Sequence, residues 1–212
     1  MSQRSVAASE ALSKTAVRWL AASLLMLLAI STPAAANPAT GNPSTGTPVL
    51  APPAVSNAID APRLSGSGRF TWFGLKVYEA RLWVGAQGLE AASFASAAFA
   101  LELQYARSFE GKAIAESSAS EIEQLGIGNE AQRQRWRDAM IRLFPNVTEN
   151  DRLVGIHKPG QSVRFTLNDR AIGAIEDPDF GAAFFAIWLD PKTRAPGLRQ
   201  AILAGAGRRT SP

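Results

Sequence analysis

The chain contains no cysteine, a single histidine and three methionines in 212 residues. Without cysteine there is no thiol nucleophile, no iron–sulfur cluster, no thiolate-bound metal and no disulfide scaffold. One histidine, His157, rules out a multi-histidine metal site and a paired-histidine protease helix. No GxSxG elbow supplies the serine of a Ser-His-Asp triad. His157 stands at the end of a strand beside a Pro-Gly turn, which gives it a structural reading ahead of a catalytic one.

Only one long apolar run is present, and it lies at the N-terminus. Arg4, Lys14 and Arg18 outnumber Glu10 and precede an uncharged stretch from Trp19 to Ile30. Pro33 ends that stretch and Ala34-Ala35-Ala36 follows, a small-residue site suited to signal peptidase. The run is too short for a bilayer span, which needs about 20 apolar residues. Residues 1–36 therefore read as a cleavable secretion signal, with no cysteine for a lipid anchor. The expected destination is periplasmic or secreted, with no membrane span after signal cleavage. Once the leader is removed, the net charge falls from +4 to +2. That balance gives no reason to expect a nucleic-acid partner.

Residues 37–62 are rich in Pro, Gly, Ser and Thr and read as a flexible spacer. The folded domain is expected over residues 63–205, with 206–212 a flexible tail. Phe70 and Trp72 alternate with Arg69 and Thr71, and Leu75–Val84 is rich in strand formers. Phe99–Tyr105 is a further period-two strand. The period then becomes helical: Ser108 is placed to cap a helix carrying Ile114, Ser118, Ile122 and Leu125 on one stripe. A second helix starts at Asn129, turns Trp136, Ala139, Met140 and Leu143 inward, and stops at Pro145. Strands resume from Arg152 to His157 and from Val163 to Leu167. Asn168-Asp169 then offers a tight hairpin into Arg170–Ile175. Asp177-Pro178 reads as the start of a helix burying Phe184, Phe185, Ile187 and Trp188, and a short helix follows from Pro196. Strands, helices, strands, helices imply an α+β domain with one antiparallel sheet and helices on one face.

The remaining motifs are weak. Gly66-Ser67-Gly68 lacks the third glycine and following helix of a phosphate loop and reads as flexibility where the strand begins. Glu121 and Glu123 point to different sides of a helix, and Glu176, Asp177 and Asp179 sit where a helix dipole favours acids. No catalytic residue, metal or cofactor follows. Arg69, Tyr78 and Tyr105 are the polar groups placed to line an apolar interior.

Leu64-Ser65-Gly66-Ser67-Gly68-Arg69, Lys76–Val84, Leu103–Arg107, Gly173–Phe180 and Phe185–Pro191 resemble, in order and spacing, bacterial chalcone isomerase-like proteins. The resemblance implies an open-faced β-sandwich, a large antiparallel sheet under a layer of helices. It also allows a comparison with the polar set that closes a flavanone ring in plant enzymes. The arginine of that set has its counterpart at Arg69. The threonine is replaced by Tyr78, as in the fatty-acid-binding branch. The tyrosine position falls near Phe109 or Glu110, the asparagine near Ser117 and the late Ser/Thr near Ile187. Most of the network that would stabilise developing charge is thus missing. The expectation is a non-catalytic binder of a small apolar or amphipathic molecule such as a fatty acid, its polar head met by Arg69 and Tyr78. The alternative is an isomerase (intramolecular lyase) with a rearranged site, and a third reading is a flat cofactor such as haem held through His157.

Overall fold

In a computed structural model the protein is described over residues 49–209. The secretion signal expected at 1–36, the spacer as far as residue 48 and the last three residues of the tail lie outside the described residues. Within them, no helix is long and apolar enough to cross a membrane.

Six strands form one sheet in the order β1 (Arg63–Trp72), β2 (Leu75–Val84), β3 (Phe99–Tyr105), β4 (Arg152–His157), β5 (Val163–Leu167) and β6 (Arg170–Ile175). Every neighbouring pair is antiparallel. The helices are α1 (Pro53–Ser56), α2 (Gly111–Gln124), α3 (Glu130–Leu143), α4 (Phe180–Leu189) and α5 (Pro196–Ile202). This is the open antiparallel sheet with a helical layer that the sequence led us to expect.

Because side chains alternate across a strand, each position is assigned to a face by the register. The inner face presents Leu82, Phe99, Leu101, Leu103, Leu153 and Phe165. These pack with Ile122 of α2, Trp136 and Met140 of α3, Phe184 and Phe185 of α4, and Leu198 and Ile202 of α5 in one core. The outer face is polar over much of its width. Glu102 on β3 is nonetheless only 2% exposed. Its carboxylate accepts from Trp83 Nε1 at 2.9 Å and from Arg81 at 3.1 Å, which satisfies the buried charge.

The turns follow the sequence closely. Asn168 and Asp169 both have positive φ (49° and 66°), as a two-residue type I′ hairpin requires. Gly160 (φ 69°) closes the Lys158–Gln161 turn. Asn129 caps α3 through a reciprocal capping box with Gln132.

Four expectations are corrected. First, the spacer does not extend to residue 62. Val55 and Ile59 are buried on the outer face of the sheet with Trp83, Ala100, Val154 and Ile156. Five of the nine residues in 51–59 are apolar, and all five belong to that patch. Second, the tail is held at its start. Leu89 N–H donates to Ala206 O at 2.8 Å, and Arg63 donates to the carbonyls of Gly205, Ala206 and Arg208. Third, Ser108 does not cap α2. The helix begins at Gly111, whose N–H donates instead to Asn146 Oδ1 at 2.9 Å. The fourth helical start shifts as well: Asp177 Oδ1 accepts from Asp179 N–H at 3.0 Å in a turn that delays α4 until Phe180.

Gly66 and Gly68 have a different role from strand flexibility. A Cβ on Gly66 would lie 2.2 Å from Ala201 O, and one on Gly68 2.8 Å from a Leu198 methyl. Both glycines let α5 lie directly on β1.

Candidate ligand-binding site

The β1–β2 hairpin determines which side chains meet. Its tip pairs Trp72 with Leu75 and Thr71 with Lys76. A register carried unbroken from there would set Arg69 opposite Tyr78. The register instead shifts between Phe70 and Thr71, so Phe70 faces Tyr78 and Arg69 faces Glu79. One extra residue on a strand moves every later side chain to the other face. Arg69 therefore projects from the outer face, exposed, while Tyr78 projects into the core. The two residues expected to hold one polar head are separated by the sheet.

Tyr78 is the centre of a different group. Its ring stacks on Phe70 at 5.2 Å and meets Tyr105 edge-on at 6.2 Å. Trp188 Nε1, on α4, donates to the Tyr78 hydroxyl at 3.0 Å. Trp188 sits one helical turn beyond Phe184, with ring centres 5.4 Å apart, so the α4 stripe that fills the core also delivers this N–H. Tyr105 packs its other side against Phe109 at 5.7 Å.

Both phenols are held neutral. Burial pushes the Tyr78 hydroxyl well above the ordinary phenol range; the bond from Trp188 opposes this and the Glu121 charge adds to it. Burial does the same to Tyr105, reinforced by Tyr78. Neither can act as a base near neutral pH. Each remains an O–H donor within an apolar wall.

The rim is charged. Glu121 of α2 accepts from Arg194 at 3.3 Å, and the Arg194 guanidinium lies 5.9 Å from the Trp72 ring centre. Burial raises the Glu121 carboxyl and Arg194 lowers it in return. Arg194 belongs to the loop after α4, which is pinned by Thr193 Oγ1 donating to Ile187 O at 2.6 Å. Sequence reasoning missed Trp188 as a polar partner, Glu121 as a rim group and Arg194 altogether. A signal for Glu121 was available: it borders the Ser118–Ile122 stripe, where a side chain is half-buried.

His157 does not fit a flat cofactor. Its ring is buried between Phe99 and Phe185, with centres at 5.0 and 5.8 Å, and Nε2 pairs with Ala95 O at 2.9 Å. Nδ1 has no partner, and Gly181 lies so close that a Cβ there would be 2.7 Å from it. No group of acidic or histidine side chains among the described residues could hold a metal ion.

Two surface depressions open elsewhere, one lined by Asn129, Glu130, Ala131 and Gln134, the other by residues between Gly160 and Pro178. Neither is lined by Tyr78, Tyr105 or Trp188. The chain's own aromatic side chains fill the candidate site.

No curated protein matches the sequence. Among solved structures, a fatty-acid-binding protein of Arabidopsis thaliana superposes with a TM-score of 0.54 at 16% identity. The match covers 71% of this chain and 91% of that one. At that identity the likeness is one of fold. A family model described as chalcone isomerase-like matches residues 52–204, a span that takes in α1 and runs through α5. The chain belongs to the chalcone isomerase-like family.

Proposed function

We propose that this protein is an exported, non-catalytic binder of a small amphipathic molecule, a fatty acid being the ligand class its site suits best. The observation that carries the reading is the pair of neutral phenols at the inner end of an aromatic wall. Tyr78 accepts from Trp188, and its own O–H proton remains available to an acceptor. A carboxylate receiving the Tyr78 and Tyr105 hydroxyls would gain charge-assisted hydrogen bonds, with Arg194 supplying the countercharge at the rim. Arg69, on the far face, takes no part. The fatty-acid-binding relative in fold supports the same reading.

Trp188 and its neighbours close the site, so a ligand enters by displacing the Trp188 side chain or the loop carrying Arg194. The test is organic extraction of the purified protein followed by mass spectrometry, together with titration by a fluorescent fatty acid. A co-purifying fatty acid and weaker binding by Tyr78→Phe are expected. An empty protein with no affinity for the probe would overturn the reading.

One observation favours the isomerase reading: Glu121, a carboxyl raised by burial, is the group in this cluster that could move a proton. A chalcone absorbance assay separates the two, since Glu121-dependent turnover belongs to an enzyme alone. Export rests on the leader at residues 1–36. Recovery from the periplasm with Asn37 as the first residue is expected, and a cytoplasmic protein retaining Met1 would refute it.

A further inference from the structure

We propose that the tip of the β1–β2 hairpin docks on an anionic lipid surface. Phe73 is 77% exposed and Leu75 54%, side by side at the end of a two-stranded arm. An isolated exposed apolar side chain is ordinary, but two at one tip on a shared aromatic base form a patch. Phe73 meets the Trp72 ring edge-on at 5.2 Å. The backbone adds to the oddity. Phe73 (φ 47°) and Gly74 (φ 76°) are the central residues of the turn, and the position held by Phe73 favours Asn, Asp or Gly. A bulky aromatic with positive φ carries a conformational cost that a solvated turn does not repay.

The charge around the patch selects the partner. Lys76 follows the tip and is exposed. Arg107 is exposed and brought alongside by Ala106 N–H donating to Val77 O at 2.9 Å. Arg194 lies over Trp72. Arg194 is itself paired with Glu121, and Glu79 shares Arg81 with Glu102, so the cations at the tip with no ion pair among the described residues are Lys76 and Arg107. Apolar and aromatic side chains at a tip flanked by Lys76 and Arg107 suit the interfacial layer of an anionic bilayer. From that tip, Trp72, Phe70 and Tyr78 form an unbroken series of ring contacts inward, with centres 6.5 and 5.2 Å apart. Docking would set one end of the aromatic wall against the lipid. The inference stands apart from the binder reading, because the tip can dock whether or not the site takes a ligand.

The absence of cysteine allows a direct test in the full chain, where the apolar leader could itself bind membranes. Leu75→Cys carries an environment-sensitive NBD label at the tip. Ser67→Cys carries the same label on the exposed part of β1. On vesicles of phosphatidylglycerol and phosphatidylcholine in equal parts, the label at 75 should shift to the blue and be quenched by lipid-borne quencher. The label at 67 should do neither. Pure phosphatidylcholine and high salt should weaken the response. Phe73→Ser in the Leu75→Cys background should lower apparent vesicle affinity at least tenfold with an unchanged melting temperature. A water-exposed signal at 75 on protein that nevertheless pellets with vesicles would assign binding to the leader and overturn the proposal. So would an unaffected Phe73→Ser variant, or a dimer that Phe73→Ser dissociates without any vesicle response.

Discussion

Trp188 and Tyr78, 110 residues apart in sequence, share one buried hydrogen bond of 3.0 Å, with the indole N–H donating to the phenol oxygen. It joins the helical layer to the sheet within an otherwise apolar wall. Its value is best measured as a coupling. Trp188→Phe keeps most of the bulk and removes the donor, at a cost of about 1 kcal/mol. Tyr78→Phe leaves a buried N–H unpaired and should cost about 1–3 kcal/mol. The double variant should lose less than the sum of the singles in urea unfolding. Strict additivity would show that the bond contributes nothing.

Gly66 and Gly197 should respond to alanine with opposite signs. At Gly66 the new methyl would meet the backbone oxygen of Ala201 at 2.2 Å, and α5 would have to lift from β1. A loss of about 1–3 kcal/mol is expected from such overpacking. Gly197 lies within the first turn of α5 with open space around its Cβ position. Alanine there should stabilise by up to about 1 kcal/mol through helix propensity alone. Thermal unfolding of the two variants side by side is sufficient. A neutral Gly66→Ala would remove the close-packing explanation.

Periodicity made the sheet and the three longest helices legible, because each buries one continuous face and its spacing repeats. Asn129 and the Asn168-Asp169 turn were legible because their chemistry is local. The separation of Arg69 from Tyr78 was not. It depended on a single irregularity near Thr71, and no composition signal marks where a strand takes an extra residue. Segment 51–59 misled for the opposite reason: its apolar residues, mostly alanine, stand beside two prolines directly after a polar run and read as more linker. They find cover only because Trp83 and Ile156, distant in sequence, present an apolar patch. The rim groups Glu121 and Arg194 are 73 residues apart, and only the packing of α2 against the loop after α4 brings them together.

His157 should give the fold an acid-sensitive component. Burial lowers its pKa below the ordinary 6.5, and the hydrogen bond with Ala95 only partly opposes this. The unfolded chain therefore binds a proton at a pH where the folded chain does not. This contribution to stability is fully present above 6.5 and is lost as pH falls through the lowered folded-state value. His157→Gln should flatten that part of the stability–pH curve, measured by urea unfolding from neutral to mildly acidic pH. An unchanged slope in the variant would assign the acid sensitivity to other groups.

Val55 offers the sharpest test of where the domain begins. It is 0% exposed and lies against the outer face of the sheet, within residues whose composition reads as spacer. A spacer residue can be changed without consequence, whereas a core residue cannot. Val55→Ala removes two buried methyl groups' worth of contact and should cost about 2 kcal/mol. Val55→Asp places an unpaired carboxylate beside Trp83 and Ile156 and should cost more, since a buried charge with no partner is among the largest single-site penalties. Ala54, only partly buried in the same turn, provides the control: Ala54→Ser should change stability by less than Val55→Ala. Urea unfolding of the full chain followed by tryptophan fluorescence reads all three, because Trp83 reports on the patch that Val55 covers. Equal midpoints for wild type and Val55→Asp would return this segment to the spacer and place the start of the domain at β1.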